Sequence, residues 1–350
     1  MKQKLFSSLL SVFILIIIGC DRDKSPTISI EMKFPKQLTS SGKDFVGFWS
    51  PDGQYIAFLS ARNTYDPYVA AVITELWIIK NDGSGEKPVI LLKDLDGGNI
   101  SISWGVSWSK DSQFMLVQIQ KFDRDEIWRV SIEGDITKLS STDESTERPK
   151  YSPDGLRIAY IIQEPNTSGS PVYRLYVSNA DFSDSILIDR GLIQDYTWNS
   201  NSNVLIYSLY DKLNTNHELW KSSANGNKKL QITNTIDSEI EPCCSDDGNY
   251  IAYSSNNAVY VTPIDTFQSK RVLDNARLPK WIPNSNLLLI TSVQTTDSTS
   301  FWTECLVVDL EGNIIRKISE TSSKDINLSP NGEFFIYSTD GNLWVDQLLK

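Results

Sequence analysis

A single histidine, His217, stands in 350 residues. Imidazole relays and polyhistidine metal sites therefore have almost no raw material. No Gly-x-Ser-x-Gly elbow occurs, and His217 would be the only imidazole base for any nucleophile. It stands beside Glu218 at the start of an apolar stretch and reads as a surface or strand-edge residue. Asp123 and Asp125 have the types for a general acid and base, but neighbouring acids in a loop are expected to be solvated. Asp94-Leu95-Asp96-Gly97-Gly98-Asn99 opens like a calcium loop. It lacks the spaced third carboxylate and the bidentate Glu, so it reads as a turn. The expectation is no catalytic residue, no metal and no cofactor. What remains is recognition chemistry: aromatics beside charges at Tyr65-Asp66-Pro67-Tyr68, Phe122-Asp123-Arg124, Tyr210-Asp211-Lys212 and Phe301-Trp302. Aromatic and Arg side chains dominate interface energies, and acidic neighbours steer and specify. Tyr65, Asp66, Tyr68, Phe122, Asp123, Arg124, Tyr210, Asp211, Phe301 and Trp302 are thus the candidate binding residues. The alternative is that these aromatics fold inward from solvated loop tips.

Composition narrows the partners. Lys plus Arg is 33 against 44 Asp plus Glu, a formal charge of −11. No basic cluster stands out, so the electrostatic footprint for nucleic acid is missing. With 40% hydrophobic residues the chain supports a sizeable core.

The first twenty residues read as an address. Lys2 and Lys4 precede an apolar run from Leu5 to Ile18, and Gly19-Cys20 follows. The run falls short of the roughly 20 residues that span a bilayer and fits a secretory signal. Ile17-Ile18-Gly19-Cys20 resembles the lipobox of bacterial lipoproteins. The resemblance implies cleavage before Cys20 and acylation of Cys20. Residues 1–19 are then a signal peptide, 20–27 a lipidated tether and 28–350 the folded domain, held at the membrane of the cell envelope through its N-terminal lipid. Asp21 resembles an inner-membrane retention signal in enterobacterial lipoproteins; inner and outer membrane both stay open. Cys243, Cys244 and Cys305 are expected to be mostly small buried hydrophobes, with an odd count that leaves at least one free thiol.

The candidate loops need a scaffold, and the rest of the sequence is one unit repeated. Ser50-Pro51-Asp52-Gly53 recurs as Ser152-Pro153-Asp154-Gly155. Degenerate copies begin at Ser109, Asn199, Ser245, Ile282 and Ser329. The spacing is near that of a propeller blade, about 40–45 residues. An aromatic usually precedes the turn: Trp49, Trp108, Tyr151, Trp198 and Trp281, with Cys244 and Leu328 as exceptions. After it comes a strand whose alternate positions are Ile56/Phe58, Met115/Val117, Ile158/Tyr160, Leu205/Tyr207, Ile251/Tyr253, Leu288/Ile290 and Phe335/Tyr337. A third strand centres on pairs such as Leu76-Trp77 and Leu219-Trp220, and a fourth ends in pairs such as Leu91-Leu92 and Leu187-Ile188. Four antiparallel strands repeated in this way predict an all-β, seven-bladed β-propeller with scarce helix. The seventh repeat lacks room for a fourth strand. Phe34-Pro35-Lys36-Gln37-Leu38-Thr39 reads like the fourth-strand ending Leu230-Gln231-Ile232-Thr233, so the N-terminal strand should close the ring.

This pattern resembles the TolB-type propeller repeat, in which Ser-Pro-Asp-Gly joins the first two strands of a blade. The resemblance covers roughly residues 34 to 350. It departs from TolB itself, which carries an α/β domain before the propeller. Metal-dependent oligogalacturonate lyases use the same fold but would demand several His ligands.

The first turns are short and uniform. The second connections vary, at about 61–74, 121–125, 164–172, 211–216 and 294–303, and they leave on the opposite end. Long variable loops on a rigid scaffold are where function tends to lie. The sequence therefore predicts a monomeric, non-catalytic envelope propeller that binds a protein or small ligand at its loop-rich end. An accessory or sensor subunit of an envelope complex, or a carboxylate-based carbohydrate-active enzyme, are the alternatives.

Overall fold

The computed structural model describes residues 34–63, 74–94, 99–100, 105–121, 124–140, 144–164, 171–295, 301–318 and 326–349. Its strands form seven antiparallel sheets, one per repeat. In blade 1, for example, Asp44–Trp49, Tyr55–Ser60, Glu75–Lys80 and Lys87–Ile90 pair in that order. The only helix among the described residues is a 3-10 turn at Leu92–Asp94. The outer strand of blade 1 stops at Ile90, so Leu91-Leu92 belong to the connection rather than the strand. Blade 2 also departs from the simple repeat. Its inner strand is split into Asn99–Ile100 and Ser107–Trp108, both paired with Phe114–Gln120.

The alternation in the second strands now has a direction. Ile56 and Phe58 pack toward blade 7, with Ile336, Leu343 and Val345. Ala57 and Leu59, between and after them, pack toward blade 2, with Met115 and Val117. The same division holds around the ring. Ile158 and Tyr160 join Leu116 of blade 2, whereas Ala159 and Ile161 join Leu205 and Tyr207 of blade 4. Period two thus gives each blade two apolar faces, one for each neighbour. The core is distributed over the seams between blades.

The recurring turn has a side-chain logic. Ser152 Oγ donates to Asp154 Oδ1 (2.5 Å) and accepts from the Arg157 amide (3.0 Å). Asp154 Oδ1 also accepts from the Leu156 amide. Gly155 takes φ of 78°, which a side chain would strain. Where serine replaces that glycine, at Ser112 and Ser202, the residue still adopts φ of 60° and 63°. Its hydroxyl then accepts from the amide of Asp52 or Asp154 in the preceding blade. In Ser152→Ala the part-buried Arg157 amide loses its acceptor. We expect a loss of about 1–2 kcal/mol in urea denaturation; an unchanged midpoint would contradict this account of the turn.

A second set of bonds runs from inner strand to inner strand. The residue before the position that is usually aromatic reaches the backbone carbonyl two before the same position in the next blade. Lys150 does so to Tyr196, Cys243 to Pro279, Lys280 to Ile326 and Asn327 to Gly47. In return, the indoles of Trp108, Trp198 and Trp281 donate to the preceding blade. The last of the four side-chain links joins blade 7 to blade 1. The N-terminal segment completes the closure: Lys36–Gln37 pair with Asn342–Gln347, and the Leu38 amide donates to the Leu343 carbonyl (2.8 Å).

Candidate functional site

Strand direction puts all first turns and third-to-fourth turns at one end of the ring. The other end collects the second connections and the crossings from each outer strand to the next inner strand. The inner strands begin at this loop-rich end, and several carry a bulge. Ladder register shifts between Phe45 and Gly47, Glu147 and Lys150, Ile240 and Cys243, and Arg277 and Lys280. Val46, Arg148, Glu241 and Leu278 sit in these bulges with φ between 39° and 58°. A bulge re-aims the side chain it carries. At Arg148 and Glu241 it aims charge.

Three polar groups result. In the first, Arg62 bonds Asp44 through two nitrogens (3.0 and 2.7 Å), pairs with Glu86 and lies 4.6 Å over the Trp77 ring. Burial acts to raise the Asp44 carboxyl, but Arg62, Ser41, Ser60 and Thr39 outweigh it and hold it below the usual range.

In the second, Arg148 pairs with Glu147 (3.2 Å) and donates to the Gln194 carbonyl (2.6 Å). Its amide donates to Gln118 Oε1. Burial pushes the Glu147 and Asp125 carboxyls up, and Asp125 adds to the effect on Glu147. Asp125 is therefore half-buried chemistry and not the solvated loop acid the sequence suggested.

The third joins Glu218 in blade 4 to Glu239 in blade 5. Both are fully buried. His217 beside them is half-buried, with its ring edge-on to Tyr210 at 5.3 Å. Its Nε2 is enclosed and bonds no described residue, and burial lowers its pKa. Of the surface or strand-edge reading of His217 the second part holds: the residue stands near the start of its strand, and its ring meets Tyr210 of the neighbouring second strand.

The candidate binding residues divide three ways. Tyr65, Asp66, Tyr68, Phe122, Asp123 and the acylation candidate Cys20 lie outside the described residues. Phe301 and Trp302 open the strand Phe301–Val308 in blade 6. Arg124, Tyr210 and Asp211 are placed, and each has a partner within the protein. Arg124 pairs with Glu126 (3.4 Å), and Tyr210 meets His217. Asp211 accepts from the Leu213 amide (2.9 Å) and Asn214 Nδ2 (3.0 Å), which shapes its own loop. What protrudes from this blade instead is Leu213, 92% exposed, and Ile236 in the following crossing, 93% exposed.

The sequence reading missed Glu147, Arg148, Glu239 and Arg277. One signal for part of the site was present. Glu75 and Glu126 stand two before Trp77 and Trp128, and each accepts from that indole (3.2 and 3.0 Å).

None of the three later cysteines is in a disulfide; Cys305 is buried and the adjacent pair half-buried. Burial pushes the Cys243 thiol up to about 12, so it is no nucleophile near neutrality. Two hollows, of about 590 and 560 Å3, open between blades at the turn-bearing end. The larger is lined by Asn199, Asn201, Lys221, Lys229, Asp247 and Asp265 among others.

No known protein-family profile matches the chain, and no curated protein sequence matches it. Solved structures do match. Oligogalacturonate lyase from Vibrio parahaemolyticus superposes with a TM-score of 0.70 at 12% identity, over 90% of this chain and 93% of that one. TolB from Acinetobacter baumannii gives 0.52 at 15% identity, over 78% of this chain and 62% of that one. A putative TolB from Agrobacterium tumefaciens gives 0.51 at 16% identity, over 76% and 95%. These likenesses are of fold: the protein is a seven-bladed β-propeller, and the same ring serves an enzyme and proteins of other kinds.

Proposed function

We propose that the protein is a lipid-anchored propeller of the bacterial cell envelope that binds a protein or small ligand at its loop-rich end, without chemistry of its own. The observation that carries the reading is the contrast between the two ends. Repeated Ser–Asp hydrogen bonds make one end uniform. The other bears every second connection, over internally paired charges: Asp44 with Arg62, Glu126 with Lys138, Glu147 with Arg148 and Glu241 with Arg277. Groups neutralised in this way stiffen the base of the loops, which leaves the loops to recognise. TolB-type propellers give the envelope address its support, and the lipobox-like Ile17-Ile18-Gly19-Cys20 gives the anchor its own. The hollow beside Lys221 favours a second reading, a small anionic or polar ligand held at the turn-bearing end.

Crosslinking in the envelope followed by affinity measurement tests the first reading. Tyr65→Ala or Tyr68→Ala should weaken the captured partner by roughly 1–3 kcal/mol and leave the ring folded. Asp154→Ala should lower stability and keep affinity. Loss of the partner in Asp154→Ala alone would move the binding site to the other end. Cys20→Ser should accumulate an unprocessed precursor without lipid; an unmodified Cys20 in the mature wild-type protein, seen by mass spectrometry, removes the anchor.

A further inference from the structure

Glu218 lies on the third strand of blade 4 (Asn216–Ser223), and Glu239 opens the inner strand of blade 5 (Glu239–Cys244). They are 0% and 1% exposed. Elsewhere at this end Asp44, Glu126, Glu147 and Glu241 each meet an Arg or Lys. Glu218 and Glu239 form no ion pair with a described residue. Their Oε1 atoms are satisfied. Glu218 Oε1 accepts from Asn216 Nδ2 (3.0 Å) and the Thr235 amide (3.0 Å). Glu239 Oε1 accepts from the hydroxyls of Thr235 (2.7 Å) and Ser255 (3.2 Å). Both Oε2 atoms are buried with no donor among the described residues, Thr235 bonds both carboxyls, through its amide to Glu218 and through its hydroxyl to Glu239, and Glu218 acts on Glu239 to raise its carboxyl. Two bare carboxylates cannot stay so placed; one proton between them turns repulsion into a strong O–H···O⁻ bond.

The same bonds hold the crossing from blade 4 to blade 5, residues 233–238. Asn216 Nδ2 also lies 2.8 Å from the Thr235 carbonyl and 2.7 Å from the Asp237 carbonyl, so its two hydrogens are shared among these and Glu218 Oε1. The His217 amide donates to Ser238 Oγ (3.1 Å). At the crest of this crossing stands exposed Ile236.

We propose that Glu218 and Glu239 share one proton and so clamp the 233–238 crossing, and that loss of this proton frees the crossing at the loop-rich end. The functional consequence, a corner that is closed or open to a partner near Ile236 and Leu213, rests on the binding reading above. The clamp itself does not.

Burial pushes the Glu239 carboxyl up from 4.5 to about 7; Thr235 opposes this and Glu218 adds to it. A carboxyl with a raised folded pKa holds its proton more tightly when folded. Its contribution is therefore full below about pH 4.5, declines up to about pH 7 and is level above. The other titratable groups around the pair are His217 on the same strand, Asp237 in the crossing, Tyr253 on the second strand of blade 5, and Glu241, whose carboxylate faces Arg277 and Ser254. His217, lowered by burial, has the opposite slope and loses stability as pH falls below 6.5. Comparing wild type with Glu239→Gln cancels it, because the amide keeps the shape and donates in place of the shared proton.

Hydrogen exchange of the Thr235 amide, corrected for intrinsic chemistry, tests the clamp in the whole protein. In wild type it should speed up about tenfold per pH unit between pH 5 and pH 7. In Glu239→Gln that rise should be lost, which leaves only the opposite slope of His217 below pH 6.5. Should that variant fail to fold, Glu218→Gln must give the same flattening. Parallel pH profiles in wild type and variant overturn the proposal. So does protection restored by millimolar Ca2+ at pH 8 in wild type alone, which would make the pair a cation site.

Discussion

Replacing Leu38 with proline opens the ring. Leu38 is buried among Ile56, Phe58, Ile79, Leu343 and Val345, at the seam where blade 7 meets blade 1. Its amide donates to Leu343, whose own amide donates to the buried Thr39 hydroxyl (3.0 Å). Leu38→Ala should cost about 2–4 kcal/mol from lost burial and the cavity left behind. Proline adds the loss of a ladder bond in a strand that has no neighbour on its other side. Deleting residues 34–39 goes further and bares the strand Asn342–Gln347 as a free edge, the template for association of copies. The measurement is urea denaturation with light scattering alongside. The order expected is wild type, then Leu38→Ala, then Leu38→Pro, with the deletion aggregating. A Leu38→Pro midpoint equal to wild type would show that the ring is held elsewhere.

Tyr196 should be the costliest single aromatic to lose from the seam between blades 3 and 4. Its side chain is fully buried, and its hydroxyl is shared between the carbonyls of Arg148 and Ala159 (2.8 Å for the latter). Arg148 occupies a left-handed conformation that non-glycine residues adopt at a cost, so the tyrosine helps hold a strained bulge. Tyr196→Phe keeps the volume and strips two buried carbonyls of their donor, about 1–3 kcal/mol. Tyr196→Ala adds the lost ring, for about 3–5 kcal/mol or more in all. Thermal and denaturant unfolding of the two variants separates the hydroxyl from the ring. If Tyr196→Phe unfolds like wild type, the hydroxyl has no structural part in the bulge.

The sequence showed the ring because the ring is local. A Ser, Asp or Asn at fixed places around each turn, an aromatic before it and two apolar positions after it all fall within about ten residues. Even the closing strand was visible, since Leu38 and Ile232 end similar segments. The site was hidden because its bonds are long-range. Glu218 meets Glu239 only through the packing of two blades, and Arg148 reaches Gln194 across another seam. The bulges that aim Arg148 and Glu241 carry no common residue. Glu218-Leu219-Trp220 has the same letters as Glu75-Leu76-Trp77, yet Glu75 accepts from its indole while Glu218 faces another acid. Asp125 was misjudged for the same reason. Neighbours in the chain gave no sign of the cover supplied by the next strand or blade.

The four side-chain links that recur between inner strands all accept at backbone carbonyls. A carbonyl is present whatever the residue, so the link asks for a donor of sufficient reach and nothing more. Lys150, Cys243, Lys280 and Asn327 hold the same post with an ammonium, a thiol, an ammonium and an amide. Copies of the repeat are thus free to drift apart in spelling while every atom of the joint keeps its place. What the ring inherits from blade to blade is an address for a proton donor, and the chain may change the tenant without moving the wall.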